Sequence, residues 1–134
     1  MNTKLLMTAS AIILLVGGIV LTFMPQEILN FFGVEATKPL QILVQIIGAL
    51  YFAFGMQNWM TKSNLMGGIY ARPIVVSNLT HFLVAGLALI KGLISNPALP
   101  GIVWIIGIIY SIFAIFFGLL LQRNPGAVSK QGEI

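Results

Sequence analysis

The chain has 134 residues, of which 58% are hydrophobic and 7% charged, with a formal charge of +4 and no cysteine. An ordinary soluble domain carries roughly 25% charged residues, so a soluble globule is excluded, and thiol and disulfide chemistry with it. The seven Lys and Arg are scattered singly, which argues against nucleic-acid binding and makes them markers of membrane orientation.

Four apolar stretches, 5–24, 40–60, 73–94 and 101–122, are each long enough to cross a hydrocarbon core of about 30 Å at a helical rise of about 1.5 Å per residue. They predict an all-α membrane protein: an antiparallel four-helix transmembrane bundle forming one domain over 1–134. Lys4 ahead of the first stretch resembles a secretory signal, but the apolar run exceeds the roughly 7–15 residues of such a segment, so it reads as a retained helix. The first loop, Pro25 to Pro39, has a helix grammar of its own. Pro25 suits a first turn, Glu27 lies near the positive end of the dipole, and Gly33 is a stop. Its apolar residues Ile28, Leu29, Phe31, Phe32 and Val34 predict a short interfacial helix capping the outer end. The loop Ser95 to Gly101, with Pro97 and Pro100, is a tight connection between antiparallel helices. The tail 123–134, with Pro125, Gly126 and Gly132, reads as disordered.

Four spans put both termini on one side together with Lys4, Lys62, Arg72, Arg123 and Lys130, while Lys38 and Lys91 border the other. The excess of cations on that side predicts cytoplasmic termini. Trp59, Tyr70 and Trp104 fall near span ends, at the level where amphipathic rings anchor among headgroups.

At about 100° per residue every span carries a face of small residues. These are Ala11, Gly18 and Thr22; Gly48 and Gly55; Ala85, Ala88 and Gly92; and Gly107, Ser111, Ala114 and Gly118. Lipid tails are as apolar as leucine, so helices associate in a bilayer through close approach along such faces. All four are therefore expected to be packing seams, the fourth most clearly.

Polar residues concentrate on the second and third spans. Gln41, Gln45, Gly48, Phe52, Gly55 and Trp59 form one stripe, and Asn78 and His81 share a face with Ala85, Ala88 and Gly92. Counted from Pro73, His81 lies about 12 Å into the bilayer, and no Lys, Arg, Asp or Glu lies as deep in a span. Such a residue is a functional-site hypothesis by its cost alone. Asn58 and Trp59 approach the same level and the connecting loop adds Tyr70 and Arg72, giving an expected cytoplasmic-side ligand site of Asn58, Trp59, Tyr70, Arg72, Asn78 and His81. Trp59 and Tyr70 supply rings with donor tips, Arg72 a permanent charge for phosphate or carboxylate, and Asn78 with His81 orienting hydrogen bonds. The plainer account is interhelical glue, with Arg72 snorkelling to headgroups. One His with Glu27, Glu35 and Glu133 spread over loop and tail does not make a metal centre. No metal or cofactor is expected, and His81 shows no nucleophile or carboxylate partner for catalysis.

Three strings, Gln57-Asn58-Trp59-Met60, Gly67-Gly68-Ile69-Tyr70-Ala71-Arg72-Pro73 and Asn78-Leu79-Thr80-His81-Phe82, resemble a pattern in small uncharacterised bacterial four-helix inner-membrane proteins. The broader similarity is to the DoxX-like group, and it runs from Pro25 and Gly33 to the third span. The resemblance implies a four-helix inner-membrane fold of unknown biochemical activity and adds no catalytic residue. The leading expectation is a non-enzymatic protein that binds a membrane lipid or small amphipathic molecule in a cytoplasmic-side polar pocket. Its rivals are an accessory or assembly subunit, packed on another membrane protein or on its own copies, and an enzyme using His81 for proton transfer. A proton or ion path ranks last, because Phe52 and glycines separate His81 from the glutamines.

Overall fold

The computed structural model describes residues 2–64 and 71–123. Every regular element among them is helical: α1 (Thr3–Phe23), α2 (Pro25–Phe31), α3 (Lys38–Thr61), α4 (Arg72–Ser95) and α5 (Gly101–Gln122). α1, α3, α4 and α5 are long and apolar enough to cross a membrane, which makes the chain an all-α, multi-pass membrane protein. The sequence-read tail beyond Arg123 lies outside the described residues.

Local chemistry explains where these helices begin and stop. The Asn2 side-chain carbonyl accepts the Leu5 backbone N–H at 3.1 Å and caps α1. Pro39 and Pro73 each occupy the second position of a helix, where a missing N–H has no intrahelical partner to lose, so α3 and α4 start before their prolines. α2 has Pro25 and Glu27 in its first turn. It is stopped by Gly33 at φ +69°, a left-handed conformation that lets the Val34 N–H reach back to the Leu29 carbonyl at 3.0 Å.

The chain divides into two compact units, one running to Ser63 and the other from Asn64. In the first, α1 packs along α3, and α2 touches both. The seam is the small-residue face expected from the sequence. A Cβ placed on Gly18 would lie 2.6 Å from the Phe52 nitrogen and 2.9 Å from the Gly48 oxygen. One placed on Gly55 would lie 2.8 Å from the Leu15 nitrogen and 3.1 Å from the Ala11 oxygen. The two backbones touch, and only the absence of side chains permits it.

In the second unit α4 packs along α5, and here the small-residue expectation holds only in part: Gly107 and Ala114 of α5 are buried, while Gly118 and the face expected on α4 are corrected. Ala88 is exposed, nothing lies within 4 Å of a Cβ placed on Gly92, and one placed on Gly118 would meet only the end of Leu79, at 3.8 Å. α4 instead buries Val75, Phe82, Gly86 and Leu93, a line roughly 100–140° around the helix from Gly92 and Ala88. Phe82 is fully buried, stacked on Phe113 and Phe117 at ring separations of 4.8 and 5.7 Å and set edge-on to Tyr110 at 5.1 Å. Rings fill the space that glycines close in the other pair. The reason is the same solvent problem: lipid gives no hydrophobic drive, so dispersion and ring geometry must supply the contact.

Candidate functional site

The polar residues singled out in the sequence are divided between the two units. In the first, Asn58 near the end of α3 is fully buried, and its amide donates to the Ser10 hydroxyl of α1 at 3.0 Å. Ser10 is also fully buried and donates in turn to the Met7 carbonyl at 3.0 Å. An amide left unpaired in such a place would cost several kcal/mol, on the order of its full desolvation. The Asn58–Ser10 bridge therefore fixes the register of α1 on α3.

Trp59 follows Asn58 but points about 100° away, is 43% exposed, and carries the Lys62 ammonium 3.0 Å above its ring. It is a rim group, as an interfacial anchor should be, and stands apart from the buried amide beside it in sequence. The two glutamines of the same predicted stripe go elsewhere. Gln45 donates to the Thr22 carbonyl in the last turn of α1 at 3.2 Å, and Gln41 to the Ala36 carbonyl of the preceding loop at 2.7 Å.

In the second unit Asn78 is fully buried, and its amide donates to the Ile74 carbonyl one turn back at 2.9 Å. His81 is half-buried, with Nε2 3.4 Å from the Tyr110 hydroxyl and its ring 5.2 Å edge-on to Phe82. Arg72 opens α4 and is exposed. Nine residues at about 100° each put it on the opposite side of α4 from His81, so these two do not share a face. Tyr70 lies outside the described residues.

Ser10 and Tyr110 escaped the sequence reading. Both carried a usable signal, because a hydroxyl or phenol well inside a span must find a partner. Among the described residues no buried side-chain nitrogen or oxygen lacks a hydrogen bond, and no three metal-ligating side chains converge. What the arrangement offers chemically is a set of satisfied buried polar groups, with cations at the helix ends. No protein-family model, curated protein or solved structure matches the chain.

Proposed function

We propose that the chain is a non-enzymatic bacterial inner-membrane protein of the DoxX-like kind. Its termini are cytoplasmic, and it binds the anionic headgroup of a lipid or small amphipathic molecule at its cytoplasmic rim. The observation that carries this reading is the division of labour among the polar groups. Asn58, Asn78 and His81 are turned inward onto hydrogen-bond partners in their own helix pairs, whereas Arg72 stands exposed at the start of α4. A guanidinium there suits a phosphate or carboxylate, which it can grip with two parallel hydrogen bonds. The Lys62 ammonium at the end of α3 is, by contrast, already engaged over the Trp59 ring. In this reading Asn58, Asn78 and His81 hold the helices that present the rim.

Lipid retained by the purified protein, measured by native mass spectrometry, tests the assignment. Arg72→Gln should lose anionic lipid more than Lys62→Gln, because Lys62 is already engaged over Trp59. Equal loss would reduce the rim to nonspecific surface charge. For orientation, reporter fusions at Ser63 and Ser95 should read opposite sides, with Ser63 cytoplasmic; a cytoplasmic Ser95 would overturn it.

A further inference from the structure

Toward the other end of α4 and the start of α5 the second unit has an apolar groove of about 260 Å³. Gly107 and Ser111 line it, and its walls include Ile90, Ile94, Trp104 and Ile108. The one side-chain hydroxyl lining it, on Ser111, donates to the Gly107 carbonyl at 2.8 Å and is already engaged. The walls are mostly β-branched and stiff, and the groove is formed before anything enters it. These features fit a hydrocarbon chain.

Charge selects which hydrocarbon. Lys91 is exposed, follows Ile90 directly and lies one turn before Ile94, so it flanks the groove four residues from the end of α4. From there its ammonium reaches headgroup level by snorkelling, where the half-exposed Trp104 in the first turn of α5 also lies. At that level a phospholipid whose chain lies in the groove brings its phosphate beside the ammonium and neutralises it, a charge match that an apolar helix seated there would not supply. We infer that this groove seats one acyl chain of an anionic phospholipid whose headgroup is held by Lys91. The seat is separate from the Arg72 rim, at the opposite end of the same helix.

Trp104 is a built-in reporter. The full chain carrying Trp59→Phe, which leaves Trp104 as its only tryptophan, is reconstituted in phosphatidylcholine vesicles containing a small fraction of lipid brominated on its acyl chains. The brominated lipid is either phosphatidylglycerol or phosphatidylcholine. The anionic lipid should quench Trp104 as though enriched about five-fold at the groove, the factor that one lysine–headgroup attraction supplies. Lys91→Gln should abolish the preference and Arg72→Gln should leave it. Equal quenching by the two lipids, or a preference that survives Lys91→Gln, overturns the proposal. So does the absence of quenching by either lipid, which would mark the groove as covered by protein.

Discussion

In the α1–α3 pair the contact depends on what is missing: at Gly18, Gly48 and Gly55 the main chain of one helix rests on the main chain of the other. In the α4–α5 pair a glycine is no closer to its neighbours than an ordinary van der Waals contact, and the interface is built outward from the fully buried ring of Phe82. Both pairs sit in spans of similar length and composition, so the difference is one of strategy for the same solvent. Subtracting side chains brings peptide dipoles and Cα–H groups together, while adding rings fills a wider gap with dispersion. The first is intolerant of any added atom and the second of any removed one.

That contrast can be broken experimentally, most severely at the glycines. Gly18→Leu should cost about 3 kcal/mol or more, because the new side chain meets backbone that cannot move aside. Unfolding in mixed micelles measures it, and a loss under about 1 kcal/mol would show that the helices can separate cheaply. Phe82→Ala should cost about 2 kcal/mol, mainly the cavity left among Phe113, Phe117 and Tyr110, since the transfer contribution known from water is small in lipid. If Phe82→Leu proved equally damaging, ring stacking rather than filled volume would be the cause. Smaller still is the Asn58–Ser10 hydrogen bond. A double-mutant cycle with Ser10→Ala and Asn58→Ala should return a coupling of about 0.6 kcal/mol, at most about 1.7. Zero coupling would mean that the amide is held by other contacts. At the bottom of the scale, Gly118→Ala and Gly92→Ala should cost nothing, being neutral or stabilising by up to about 1 kcal/mol through helix propensity alone. A marked loss at either would restore a small-residue seam to the second unit.

The glycine seam was legible in the sequence because small residues recur at Ala11 and Gly18 and again at Gly48 and Gly55, a seven-residue spacing that keeps one helix face. The ring seam was not, since a buried Phe82 and a lipid-exposed Phe116 differ in nothing that hydropathy records when the solvent is itself apolar. Ala88 and Gly92 misled for the complementary reason: a small residue allows close approach without requiring it. Candidate site residues were partly legible. An asparagine in a span announces burial, and Asn58 and Asn78 are buried. Their side-chain partners and the direction of Arg72 depended on helix phase and on which neighbour lay opposite, which spacing along one helix does not specify. Pro25 and Gly33 did specify α2, because both act through the local backbone.

The backbone contact at Gly18, Gly48 and Gly55 also governs how this protein can vary over evolutionary time. Main chain is the one part of a protein that substitution does not change, so a lock made of it persists while the residues around it turn over. Ile12, Val16, Ile46 and Ile47 are exposed and can be exchanged for almost any apolar residue. In the second unit a new ring or a lost one asks for a compensating change in its neighbours. Divergent descendants of this chain would therefore keep a few fixed, isolated glycine positions in the first unit and show correlated exchanges among Phe82, Tyr110, Phe113 and Phe117 in the second.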